Sequence, residues 1–145
     1  MRKWFSFMAM GMWAFSALAS GPNWMTDMDA AKALAKKENK PILINFSGSD
    51  WCGWCKRLAR EVFNKDEFQE FADRELVLVN VDFPRYKDQS REERFENQEL
   101  ATRFGVTGFP AVFLVSSDNK VLLRTGYLPG GAENYIAQLK KSMGD

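Results

Sequence analysis

Hydrophobic positions along this chain follow two rhythms, and their alternation lays out the elements. Near-continuous apolar runs occur at Ile42–Phe46, Leu76–Val81 and Ala111–Val115. Such runs predict strands, and Ile42–Phe46, apolar almost throughout, is expected to be covered on both faces. Elsewhere apolar residues recur at helical spacing. The sets are Ala31, Leu34 and Ala35; Cys55, Leu58, Ala59 and Val62; Phe68, Phe71 and Ala72; Leu100, Ala101 and Phe104; and Ala132, Tyr135, Ile136 and Leu139. Each predicts a helix with one buried stripe.

Punctuation fits these rhythms. Thr26 with Asp29, Asn64 with Glu67, and Ser90 with Glu93 read as helix N-caps. Pro41 stops the first helix and Gly105 the one ending near Phe104. Ser117–Lys120 is a turn that sends Val121–Thr125 back antiparallel, and Gly126 and Gly130–Gly131 break the chain again. The expected order is helix, strand, helix, strand, helix, strand, strand, helix. That is an α/β domain, a central mixed sheet flanked by helices on both faces. The charged stretch from Pro84 to Arg94 reads as a solvated helix start, with a partner-docking surface as the alternative.

The first residues have a different character. Arg2 and Lys3 precede an apolar run from Trp4 to Phe15, and Ala17-Leu18-Ala19 is a small-x-small cleavage pattern. Residues 1–19 therefore read as a signal peptide, with residues 20–145 as one domain starting at Ser20. An uncleaved anchor is the alternative, but the run is shorter than the ~20 residues of a spanning helix. No stable membrane insertion is expected after cleavage. Losing Arg2 and Lys3 takes the net charge from +1 to −1, and neither value points to a nucleic acid. The 145 residues contain no histidine, which removes imidazole acid–base chemistry and imidazole metal ligation.

What chemistry is left lies in Trp51-Cys52-Gly53-Trp54-Cys55-Lys56, which holds the only two cysteines. The motif sits where a predicted strand hands over to a predicted helix. Unpaired N–H groups and the dipole at a helix start favour negative charge, so a Cys52 thiolate gains and its pKa falls below the free value of ~8.5. Cys52, at the helix start and the more exposed, is the expected nucleophile. Cys55, one turn inside, is the expected resolving thiol. A bridge enclosing two residues removes little chain entropy, so a purely structural disulfide is disfavoured. Two cysteines alone also make a poor zinc site.

Strand, Trp-Cys-Gly-X-Cys-Lys, helix, and Gly108-Phe109-Pro110 downstream together resemble the thioredoxin superfamily. The longer string Phe46-Ser47-Gly48-Ser49-Asp50-Trp51-Cys52 is similar to a bacterial thioredoxin-like branch with one extra residue before the motif. That branch resembles the C-terminal domain of membrane thiol:disulfide interchange proteins. The resemblance runs from about Met25 to Met143. It implies a thioredoxin fold and disulfide exchange with protein or peptide thiols, with no cofactor beyond the Cys52–Cys55 pair. A membrane interchange protein is the implied electron partner. Trp51 matches the family tryptophan before the first cysteine and is expected to face substrate. Gly53 and Trp54 occupy the positions that tune the potential, and Trp54 stands where relatives carry proline or histidine. Pro110 matches the family's cis-proline, which presents the Phe109 backbone to a substrate segment. Gly126 matches a glycine that allows close approach near that loop.

Two departures accompany the resemblance. The family's buried acid falls at Asn45 and its companion lysine at about Leu78, so proton transfer at Cys55 needs water or another group. Asp50 is the nearest acid and is expected to be solvent-exposed. Lys56 and Arg57 either raise the potential near the thiolate or are plain exposed charges. The resulting expectation is an exported, periplasmic or secreted thiol:disulfide oxidoreductase working as reductase or isomerase. The alternatives are a peptide-binding module with incidental cysteines and, more weakly, a metal carrier using two thiolates.

Overall fold

The computed structural model describes residues 23–144. The leader expected over residues 1–19 and the cleavage point expected before Ser20 lie outside the described residues. The strands are β1 (Trp24–Met25), β2 (Ile42–Ser47), β3 (Val77–Asp82), β4 (Ala111–Val115) and β5 (Val121–Thr125). The helices are α1 (Met28–Glu38), α2 (Gly53–Leu58), α3 (Asp66–Glu75), α4 (Arg91–Phe104) and α5 (Gly131–Met143). One sheet runs in the order β1-β3-β2-β4-β5. β3 is parallel to β1 and β2, and β4 is antiparallel to both β2 and β5.

The period-2 geometry of strands sorts side chains between two cores. Ile42, Ile44, Phe46, Val77, Val79, Val81, Phe113 and Val115 pack with Met28, Ala31 and Ala35 of α1 and Ala101 of α4. Leu43, Leu78, Val112 and Leu114 point the other way, against Leu58, Val62, Phe68, Phe71, Tyr135 and Leu139. Asn45 and Asn80 share the parity of Leu43 and Leu78, so they lie on the face that α2, α3 and α5 cover. The sheet is therefore a floor beneath the start of α2. Leu58 is fully buried and anchors that helix; truncating a side chain so buried costs about 2–5 kcal/mol.

Local details depart from the sequence reading in three places. Residues 24 and 25, which belong to none of the predicted elements, form β1 and cover the edge of β3 at Leu78 and Val79. Asp27, not Thr26, caps α1: its carboxylate accepts the N–H groups of Asp29 and Ala30 at 2.9 and 3.1 Å. The helix after Cys52 is interrupted by a π-helical turn at Ala59–Phe63. Asn64 closes that turn, donating its N–H to Ala59 O at 2.8 Å, so Lys65 rather than Asn64 precedes α3. Ser90 and Gly105 behave as expected. Ser90 Oγ accepts the Glu93 N–H at 3.1 Å, and Gly105 takes the left-handed conformation with φ 67°.

Candidate active site

The turn from β2 to α2 is built by the sequence from Gly48 to Trp51. Gly48 O accepts the N–H groups of Trp51 at 3.3 Å and of Cys52 at 2.9 Å, closing a tight loop. A Cβ on Gly48 would collide with the Trp51 indole, so a glycine is required there. Ser49 ties the loop to the end of β3, its N–H and Oγ donating to the Asp82 carboxylate at 2.9 and 2.6 Å.

Cys52 and Cys55 are joined by a disulfide, and Cys52 is also the N-cap residue of α2. Its Sγ accepts the Cys55 N–H at 3.2 Å, an arrangement that favours a thiolate when the pair is reduced. The two cysteines are almost equally buried, at 7% and 6% exposure. This corrects the expectation that Cys52 is clearly the more exposed: in the oxidised pair, the bond that seats Cys55 against the sheet holds Cys52 down with it. Position in the helix, not exposure, is what distinguishes the two cysteines.

Asp50, expected to be solvent-exposed, is half-buried and fully engaged. Its carboxylate accepts three backbone N–H groups, from Arg85 at 3.0 Å and from Tyr86 and Lys87 at 2.8 Å each. Partial desolvation is the largest single influence and raises its pKa. The three N–H donors and the Lys87 charge together outweigh it, and the pKa lies below the ordinary carboxylate value. Residues 84–90 are a loop, with α4 starting only at Arg91, and Asp50 fastens that loop to the motif.

Each motif tryptophan is held on its own side. Trp51 Nε1 donates to Phe83 O at 2.7 Å, its ring meets Phe109 edge-on at 5.9 Å, and the Arg85 guanidinium lies 3.7 Å above it. Phe83 in turn stacks on Phe109 at 5.1 Å. Trp51 precedes Cys52 and Phe109 precedes Pro110, so this aromatic contact links the motif to the Pro110 loop. The Phe109–Pro110 peptide is cis. A Cβ on Gly126 would sit 2.9 Å from Pro110 O, which accounts for the glycine.

Trp54 is 55% exposed, packs on Tyr127 at 5.0 Å and carries the Arg57 guanidinium at 5.3 Å. Arg57 Nε donates to Glu61 at 2.7 Å, and the Tyr127 hydroxyl donates to the same carboxylate. Arg57 first and Tyr127 second hold the Glu61 pKa below its ordinary value, while Glu61 raises those of both partners. The Arg57 charge is thus matched by Glu61. Gly53 is exposed at the first position of α2, with open space where a Cβ would be.

Beneath Cys55 lies a cavity of about 430 Å³, lined among others by Asn45, Ser47, Lys56, Asn64 and Asn80. Asn45 is opposite Asn80 in the sheet and its Nδ2 donates to Asn80 Oδ1 at 3.3 Å. The residue facing Asn45 is therefore Asn80, not Leu78, which pairs with Leu43. Sequence reasoning missed Asn80, although a lone asparagine in each of two apolar strands was a visible signal. Glu61 had a signal too, four residues after Arg57 on one helix face. Arg85 lies in the charged stretch whose alternative reading is a partner-docking surface, while nothing local marked Phe83 or Tyr127.

A disulfide spanning two residues at the head of a helix, on a mixed sheet beside an X-Pro loop, defines the class: a thioredoxin-like thiol-disulfide oxidoreductase with a Cys-X-X-Cys site. Residues 28–142 match the thioredoxin-like domain family, to which this chain belongs. The disulfide bond reductase DsbH of Chlamydia pneumoniae is 39% identical over 109 residues, covering 75% of this chain and 66% of that protein. A solved structure of a DsbH oxidoreductase is similar at TM-score 0.81 and 37% identity, covering 86% of each chain. The reduced C-terminal domain of Neisseria meningitidis DsbD is similar at TM-score 0.61 and 28% identity, over 79% of this chain and 92% of that one.

Proposed function

We propose that this chain is an exported disulfide reductase acting on protein disulfides. The observation that carries the reading is the Cys52 sulfur at the head of α2, hydrogen-bonded by the Cys55 N–H. In the reduced protein the Cys52 thiolate attacks one sulfur of a substrate disulfide. That S–S bond breaks, one substrate sulfur leaves as a thiolate and takes a proton, and a mixed disulfide forms at Cys52. Cys55 loses its proton and attacks the Cys52 sulfur, releasing the second substrate thiolate and closing the Cys52–Cys55 disulfide. Two electrons pass to the substrate, and a dithiol donor must restore the pair. Similarity to a DsbD C-terminal domain supports a membrane interchange protein as that donor.

A reducing direction is supported by how few groups hydrogen-bond or pair with the thiolate directly. Cys52 has the helix start and one N–H donor, no histidine stands between the cysteines, and Arg57 is matched by Glu61. Strong oxidants need a far more stabilised thiolate, so the potential should lie nearer roughly −270 mV than roughly −120 mV. Equilibration with a glutathione redox series measures it, and a value above about −150 mV makes the protein a disulfide donor instead. Cys55→Ser should accumulate a mixed disulfide at Cys52 and Cys52→Ser far less; equal trapping refutes the division of labour. The leader pattern of residues 1–19 supports a location outside the cytoplasm. N-terminal sequencing of processed protein should begin at Ser20, and a retained Met1 in the membrane fraction would mean an anchor.

A further inference from the structure

Two tryptophans flank the cysteines, and each carries an arginine on its face. The guanidinium of Arg57 lies over Trp54, and that of Arg85 lies over Trp51. The two ledges differ in charge. Arg57 is bound to Glu61 at 2.7 Å, and Tyr127 donates to the same carboxylate. No described carboxylate lies within ion-pair distance of the Arg85 guanidinium, and none of its N–H groups makes a hydrogen bond among the described residues. The one Arg85 bond to Asp50 uses the backbone N–H.

Arg85 is nonetheless held in place. Its backbone is fixed by Asp50, and its planar group stacks 3.7 Å above a ring that is itself fixed by Phe83 O and Phe109. Stacking on tryptophan orients a guanidinium while leaving its edge donors free. A carboxylate arriving at that edge can be bound by two N–H groups at once. Lys87 on the same loop is engaged elsewhere: its Nζ lies 3.2 Å from Ser49 Oγ and its charge acts on Asp50. The Asp50 carboxylate accepts three backbone N–H groups, and the side-chain charge that acts on it is that of Lys87, not of Arg85.

We propose that the Trp51–Arg85 ledge is a specificity element, selecting substrate disulfides whose reacting cysteine has an acidic side chain next to it. This rests on the reductase reading above and names the substrate class for that site. Trp51 directly precedes the nucleophile and its ring meets Phe109 of the Pro110 loop; on this proposal the residue beside the substrate cysteine is seated at this ledge.

The test uses the chain without its leader, turned over with dithiothreitol, and two disulfide-linked peptides that differ only in Glu or Gln beside the cysteine. The wild type should favour the Glu peptide by roughly 3- to 10-fold in kcat/KM, through KM, as an exposed but pre-ordered ion pair allows. The preference should shrink as salt rises from about 0.05 to about 0.5 M. In Arg85→Gln the Glu/Gln ratio should fall to about one, and Arg85→Lys, which keeps the charge but not the fork, should be intermediate. A wild-type ratio of one, or an unchanged ratio in Arg85→Gln, overturns the inference alone. An unchanged ratio with a shifted Cys52–Cys55 potential would assign the charge to the thiolate instead. Failure to reduce either peptide would overturn the reductase reading and the inference with it. If both variants fail to fold, a wild-type Glu/Gln preference that does not shrink with salt still overturns the inference.

Discussion

Gly126→Ala tests whether the loop carrying Pro110 is positioned by backbone packing. The added Cβ would lie 2.9 Å from Pro110 O, where ordinary contact begins at 3.4 Å, so something must move by about half an ångström. Neither side gives easily. The chain before Gly126 is held by the pairing of Thr125 with Val112, and Gly126 O accepts the Tyr135 hydroxyl at 2.9 Å. The clash is against a carbonyl, so no rotamer change relieves it. Overpacking of this kind costs about 1–3 kcal/mol. Alanine also reduces the freedom of the unfolded chain, which returns about 0.4–1 kcal/mol. The expected net effect is a destabilisation of about 0.5–2 kcal/mol. Gly53→Ala is the internal control: a Cβ there meets nothing within 4 Å, so only the stabilising contribution remains. Urea unfolding of the oxidised variants, followed by tryptophan fluorescence, gives both numbers. The rate of mixed-disulfide formation should fall in Gly126→Ala as the Pro110 loop shifts. Equal stability changes in the two variants, or a Gly126→Ala protein as stable as the wild type, would refute the close-packing argument.

Asn45→Asp should place a carboxyl at the cavity under Cys55 and speed release of the mixed disulfide at neutral pH by up to about 10²-fold, the lower end of general-base effects. Desolvation should raise that carboxyl's pKa, so the variant's stability should decline as pH rises above about 4; an unchanged release rate from stopped-flow would refute a proton-accepting role for position 45. Glu61 has a lowered pKa, so the stability it contributes is present above its unfolded value of about 4.3 and is lost as pH falls through the folded one. The Trp54 indole NMR signal should therefore move on acidification below that range and stay still in Glu61→Gln; equal movement in both would show that the Glu61 tether does not hold Trp54.

Much of this protein follows from short-range rules. The apolar runs at Ile42–Phe46 and Leu76–Val81 make strands because continuous β-prone segments can be covered on both faces. Ser90, Gly105 and Pro41 bound their elements because caps and breakers act within a few residues. The placement of Cys52 between a strand and a helix is likewise a local fact, and it carries most of the chemistry. Tertiary structure decided what depends on contacts between segments far apart in the chain. Sheet register chose Asn80, not Leu78, as the partner of Asn45, and one step of register would have turned it to the other face. The packing of two loops made Asp50 a triple acceptor and put Arg85 on Trp51. The meeting of α2 with the segment after β5 brought Tyr127 onto the Arg57–Glu61 pair, leaving Arg85 as the motif's uncompensated arginine. Such pairings join groups some 35 to 66 positions apart, as from Asp50 to Arg85 and from Glu61 to Tyr127. Local propensity has no information about them, because each is set by where whole elements dock.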